Sequence, residues 1–347
     1  MTRNRLASGV LAFVVAIYMG GCGGGGGGEG GSGSGSNGAT PASQSAAGAT
    51  SRSTDYTAVA MAGERLIFSV DTTNRTYNYR IIDSQYGLEG KVGSGTLSDN
   101  GNGTWAASNM PDVMIVSLPN GLFLGAIRES IHGVVTTVPV FGTANPVTTL
   151  ADAQGTYNII HRGCVNNNCT AGLGTFNIDA AGIWSFCVQG NLTTECPSAV
   201  VSSTLNPLGG GLWQVMSGST EVGTALMFTA NNQNNILLDL KDSGAFSKGM
   251  ILGAQQQTMD FAQTDGTWLV AGSSGKWWGV FSASGGNLRL LSVNGVPMTK
   301  NLSLNANNPW EGVFTDSTGT HGIFANSGIY GNVGPNGYAE IGLRLGN

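Results

Sequence analysis

From about Thr54 onward, short runs of β-branched and aromatic residues alternate with polar ones, and Gly, Asn or Asp interrupts them every ~6 to 12 residues. Arg75–Ile82, Gly174–Asp179, Val222–Thr229 and Asn287–Val293 are examples. Period-two alternation places every second side chain on one face, the mark of a half-buried antiparallel strand. Asn120-Gly121, Asn294-Gly295 and Asn336-Gly337 suit type I′ hairpin turns, whose two central residues need positive φ. The pattern predicts roughly twenty strands and no amphipathic helix. The connections fit hairpins and are too short for the crossover helices of a parallel sheet.

An internal echo runs through these strands. Thr76-Tyr77-Asn78 is followed by Gly95-Thr96 and Trp105, and Thr156-Tyr157-Asn158 by Gly174-Thr175 and Trp184. Gly-to-Trp spacing is ten in both copies (95 to 105, 174 to 184), and the tyrosines lie 80 apart (77 to 157). Gly266-Thr267-Trp268 is a weaker third start. The expected fold is therefore all-β, with antiparallel hairpin-rich modules over 54–148, 149–260 and 261–347. Barrel-like or sandwich-like closure is expected, because it protects sheet edges, and a β-propeller is the alternative.

The first fifty residues follow another pattern. Arg3 and Arg5 precede a mostly apolar run from Leu6 to Tyr18, too short to span a bilayer as a helix. Met19-Gly20-Gly21-Cys22 follows, and then six glycines at 23–28 within Ser/Gly/Ala/Thr-rich sequence to about Ser53. Such a stretch buries no apolar area; thirty residues of it have a root-mean-square span of roughly 30 Å. Met19-Gly20-Gly21-Cys22 resembles the lipobox of bacterial lipoprotein signal peptides, with Met19 where leucine is usual. The resemblance implies a signal peptide over 1–21, a lipidated Cys22 (palmitate among its acyl chains), and a disordered tether over 22–53. Gly23, where some lipoproteins carry Asp, implies sorting to the outer membrane, with the body facing the periplasm or the surface. The competing reading is an ordinary secretory signal with an incidental cysteine.

Composition narrows the function classes. Charged residues are 10% of 347, against ~25% in an average domain, while 41% are hydrophobic. A sizeable core is expected, and long solvated helices and wholesale disorder are not. The formal charge of −5 becomes 13 − 20 = −7 once Arg3 and Arg5 leave with the leader, which excludes a nucleic-acid partner of the usual basic kind.

Cys164, Cys169, Cys187 and Cys196 fall in one short window. Beyond the inner membrane, two disulfides are the natural expectation. Cys164–Cys169 with Cys187–Cys196 is favoured by the short loop at Asn166-Asn167-Asn168, and a crossed pairing competes with it. A zinc site from His161, Cys164 and Cys169 lacks a paired short-spacing knuckle.

Catalytic signals are sparse. His132, His161 and His321 stand in no motif, and no serine-hydrolase elbow, zincin helix or Walker loop occurs in the body. Asp239, Asp242 and Asp260 are the candidate acids for a glycosidase-type pair, and Asp99-Asn100-Gly101-Asn102-Gly103 opens like a calcium loop without its distal Glu. No cofactor or metal is implied. Trp277 and Trp278, on opposite faces of one strand, and Trp310 are the candidate docking residues, each able to stack on a sugar or protein.

The expected function is that of a non-enzymatic binding or structural envelope lipoprotein, held to the bilayer by acylated Cys22. A lipidated cysteine, a Gly-rich tether and antiparallel β lobes together resemble the transferrin-binding and factor H-binding surface lipoproteins. That resemblance implies a host protein or glycan as partner and transfers no binding residue. An enzyme acting on envelope polysaccharide or peptide is the other reading.

Overall fold

The computed structural model describes residues 53–346, except 85, 102, 109, 132, 166–167, 195, 198–199, 242–247 and 276–277. The expected leader, Cys22 and the expected tether as far as residue 52 lie outside the described residues, and Ser53 already belongs to the first strand. Three antiparallel eight-stranded barrels follow one another along the chain. The first holds β1 (Ser53–Ala60), β2 (Glu64–Asp71), β3 (Thr76–Ser84), β4 (Val92–Asp99), β5 (Trp105–Ala107), β6 (Met110–Ser117), β7 (Leu122–Ile131) and β8 (Val134–Thr143). After α1 (Leu150–Ala153), the second holds β9 (Gly155–Val165), β10 (Asn168–Ile178), β11 (Ile183–Cys187), β12 (Val201–Gly209), β13 (Leu212–Ser217), β14 (Thr220–Ala230), β15 (Gln233–Leu240) and β16 (Lys248–Gln255). After α2 (Phe261–Thr264), the third holds β17 (Gly266–Gly272), β18 (Trp278–Ser284), β19 (Asn287–Val293), β20 (Val296–Ala306), β21 (Val313–Asp316), β22 (His321–Phe324), β23 (Ile329–Val333) and β24 (Ala339–Gly346). Each is a meander in which first and last strands pair, so no edge is left open.

Aromatic residues fill the first barrel. Phe68 lies 4.4 Å from Phe123 and 5.6 Å from Tyr77, ring centre to ring centre. Tyr77 and Tyr79 pair with Gly95 and Gly93 on β4, where an added Cβ would come within 2.8 Å and 2.4 Å of the rings. Those two glycines make room for the tyrosines inside a narrow barrel.

The echo resolves into local and global parts. Tyr77 with Gly95 belongs to the meander β3–β4–β5, whereas Tyr157 with Gly174 belongs to β9–β10–β11. Within their barrels these are offset by two strands. The equivalent starts are those of the second and third barrels. In each, a one-turn helix leads through one residue to Gly-Thr-aromatic: Leu150-Ala-Asp-Ala-Gln-Gly-Thr-Tyr157 and Phe261-Ala-Gln-Thr-Asp-Gly-Thr-Trp268. Thr149 and Asp260 cap the helices. Tyr157 Oη donates to Ala153 O at 2.7 Å, and Trp268 Nε1 to Thr264 O at 3.0 Å. Gly155 and Gly266 share φ near +140° (138° and 141°).

The alternation predicts strands with one buried face, yet several are buried on both. β7 is buried from Leu122 through Ile127, and β16 from Gly249 through Ala254. One face lines a barrel and the other joins a seam between barrels. Ile160, Leu237 and Leu252 of the second barrel and Leu269, Ile341 and Leu343 of the third belong to one buried cluster with the first barrel's interior. The second and third barrels keep separate interiors.

Cys164 is bonded to Cys169 across the β9–β10 hairpin, and Cys187 to Cys196 from the end of β11 into the following loop. Neither pair of sulfurs is free to hold zinc.

Candidate functional site

The barrel interiors differ in how far they are filled. In the second, Trp184, Phe186, Val215 and Leu238 leave about 10 Å³, barely one water. The third encloses a cavity of about 250 Å³ at the end formed by the β21–β22 and β23–β24 turns. This approaches the ~300–1,000 Å³ of small-molecule sites.

Alternation along the strands builds its walls. Phe281 of β18, Leu288 and Leu290 of β19 and Leu302 of β20 form an apolar side. Opposite them, β23 turns Tyr330 and Asn332 inward and β24 turns Glu340 inward, while Ile329 and Ile341 go to the seam. Asn332 pairs with Glu340 in the ladder. Tyr330 Oη donates to Glu340 Oε2 at 3.1 Å, Tyr338 Oη donates to Oε1 at 3.0 Å, and the Asn332 amide hydrogen-bonds the same carboxylate. Burial raises the Glu340 carboxyl above its ordinary range, these donors draw it back, and Asp316 nearby pushes it up. Burial and the adjoining carboxylate raise Tyr330 and Tyr338 as well, so both phenols stay protonated donors.

Asp316 ends β21 and receives Thr318 N at 2.8 Å, Thr318 Oγ1 at 2.6 Å and Thr320 N at 3.0 Å, all on Oδ1. Asn332 Oδ1 is buried with no hydrogen-bond partner. Lys300 is the cation lining the cavity, on the exposed part of β20. The arrangement is a half-apolar cup whose polar side carries two carboxylates, hydroxyls that donate to them, and Lys300.

The second barrel holds the β23–β24 turn in place. Gly337 has φ 71° and sits where an added Cβ would come 2.1 Å from Cys169 O. Arg162 Nε donates to Gly337 O at 3.1 Å, its Nη1 to Met61 O at 3.3 Å and its Nη2 to Cys169 Sγ at 3.1 Å. One guanidinium thus touches all three barrels, and the turn it holds carries Tyr338.

The residues singled out from the sequence lie elsewhere. Trp278 is fully buried in the shared cluster, its indole N–H without an acceptor, so it presents no face to a ligand. Trp310 packs against the same cluster and donates to Asn158 Oδ1 at 2.9 Å, joining the third barrel to the second. Trp277, His132 and Asp242 lie outside the described residues. His161 meets Val188 O at 3.2 Å, and burial lowers its pKa. His321 Nδ1 meets Thr315 Oγ1 at 2.9 Å. Asp260 is an exposed helix cap, Asp239 is buried at a seam, and Asp99 accepts from Gly101 N in a tight turn. Among the described residues, no three His, Cys, Asp or Glu side chains gather as a metal site.

The cavity residues were missed, although the sequence carries a trace of them. Tyr330-x-Asn332 and Tyr338-x-Glu340 flank the Asn336-Gly337 turn, so a hairpin there places four polar-tipped side chains on one face.

No family model matches the chain, and no curated protein matches it. Among solved structures, a mutant of the vaccine antigen transferrin binding protein B from Haemophilus parasuis is similar at 12% identity, with TM-score 0.27 over 81% of this chain and 65% of that one. Intact transferrin binding protein B, with N and C lobes, is similar at 10% identity and TM-score 0.23, over 81% and 66%. A protein of unknown function from Nostoc punctiforme is similar at 9% identity and TM-score 0.20, over 84% and 94%. This chain spans just under two thirds of the first of these. The likenesses are weak and give no residue here a role.

Proposed function

We propose that this chain is a lipid-anchored outer-membrane lipoprotein whose three-barrel body binds a target and does not transform it. The third barrel's cavity carries the binding part of this reading: a pre-formed cup with an apolar side and a few converging polar groups is how small-molecule sites are built. Met19-Gly20-Gly21-Cys22 and the glycine run behind it support the anchor. Two of the groups a hydrolase would pair are engaged elsewhere, Asp260 on a helix cap and His321 on Thr315.

Two measurements test the proposal. Labelled palmitate should enter the wild-type protein and not Cys22→Ser, and the wild type should fractionate with the outer membrane. Label in Cys22→Ser, or a soluble wild type, overturns the anchor. Saturation-transfer difference spectra of the full chain against a fragment set should give hits that are lost in Leu302→Trp, which fills the cavity. Hits that all survive Leu302→Trp overturn the cavity as the binding site.

A further inference from the structure

The chemistry of the cup selects what fits it. The hydroxyl and amide donors on its polar side are already used. Tyr330 and Tyr338 give their protons to Glu340, and the Asn332 amide gives to the same carboxylate. Thr318 gives its proton to Asp316 Oδ1, which leaves Thr320 to donate to Thr318 Oγ1 at 2.9 Å. Acceptor capacity is left over. A carboxylate offers about four acceptor positions. Asp316 takes every one of its bonds on Oδ1, and Asn332 Oδ1 is buried with no partner at all. Two neighbouring carboxylates add negative potential within a low-dielectric wall. Lys300, the cation in the lining, stands on the exposed part of β20. Across the cavity, Phe281, Leu288, Leu290 and Leu302 offer nothing to hydrogen-bond.

We propose that the third barrel's cavity binds a small organic cation, an ammonium group on a short aromatic or aliphatic body. This rests on the binding reading above and names its ligand class. The ammonium meets Glu340 and Asp316, which offer acceptor positions and negative charge. Its body lies against Phe281 and the three leucines, where burial of apolar surface adds affinity. An anionic ligand would bring a third negative charge next to Glu340 and Asp316. A neutral alcohol brings one donor and no charge to the two carboxylates.

The test uses the full chain in detergent and three probes of one shape and different charge: 2-phenylethylamine, 2-phenylethanol and 3-phenylpropionate. Calorimetric titration at neutral pH should give saturable binding of the amine, at least tenfold tighter than the alcohol, and none of the carboxylate. Glu340→Gln should weaken the amine far more than the alcohol and close most of the gap between them. An unchanged near-UV spectrum reports that the variant is folded. Lowering the pH should weaken the amine more in the wild type than in Glu340→Gln, because protonation of Glu340 removes charge that the cation meets. Equal or tighter binding of the carboxylate, or an amine-to-alcohol ratio untouched by Glu340→Gln, overturns the cation inference alone. No saturable binding of any probe overturns the cation inference together with the cavity as a binding site.

Discussion

Glu64 sits at the start of β2, buried to 0% exposure, with neither carboxylate oxygen hydrogen-bonded. Burial pushes its carboxyl up to about 8; Lys248 of β16 draws it down and Glu129 of β7 pushes it further up. Asp239 of β15 is likewise raised by burial, and Asp83 and Glu64 add to the shift. The consequence for stability has a definite sign. Between the ordinary carboxyl value of 4.5 and about 8, the unfolded chain has lost the Glu64 proton and the folded chain keeps it. Stability from Glu64 is therefore complete below that window and is lost as pH rises through it, at up to ~1.4 kcal/mol per pH unit. Glu64→Gln removes this slope. In urea melts, the variant should gain on the wild type by a few kcal/mol, on the order of the integrated slope, between pH 5 and pH 9. A difference that stays flat with pH would show that Glu64 does not carry a proton into the fold.

At the scale of elements, the β23–β24 turn is the piece on which the cavity depends. Its chain reversal needs positive φ at Asn336 (58°) and Gly337 (71°), and its tip lies on the Cys164–Cys169 hairpin of the second barrel. Gly337→Ala meets both the φ penalty and the Cys169 carbonyl, and should destabilise by about 1–3 kcal/mol. Gly295→Ala is the matched control. Its φ is 76°, yet nothing lies within 4 Å of the added Cβ. The excess loss in Gly337→Ala over Gly295→Ala, read from denaturant midpoints, isolates the docking of the turn. Because Tyr338 moves with the turn, amine binding should weaken in the first variant and stay unchanged in the second. Equal losses of stability in the two would mean that the turn does not lean on the second barrel.

For the whole molecule, the question is what makes three barrels one body. Each has its own ladder, but the apolar cluster runs without a break from the first barrel's interior into both seams. Arg162 supplies the polar counterpart by touching Met61, Cys169 and Gly337 in three different barrels. Hydrogen bonds from a charged donor contribute about 1.5–3 kcal/mol, and their loss here strands two carbonyls. Arg162→Met keeps the stem and removes the donors. Scanning calorimetry of the wild type should show one cooperative transition. The variant should melt earlier, with a calorimetric enthalpy exceeding the van't Hoff value as the barrels uncouple. A single unshifted transition would assign the coupling to the apolar seam alone.

Much of this was written in local sequence. Alternation with Asn-Gly turns dictated antiparallel meanders, because side-chain period and turn conformation are properties of a few neighbouring residues. The glycine-rich stretch and the motif at Cys22 stand in sequence without any need of a fold. Tertiary structure decided the rest. Strands read as half-buried became fully buried because barrels pack on barrels, as β7 and β16 show, and that contact has no local period. Trp278 and Trp310 read as docking aromatics and became seam residues for the same reason. The cavity took shape only when closure of the third barrel set Asp316 of β21 and the apolar residues of β18, β19 and β20 against the β23–β24 hairpin that carries Tyr330, Tyr338 and Glu340. Local pattern fixes which face a side chain takes; only closure decides what that face meets.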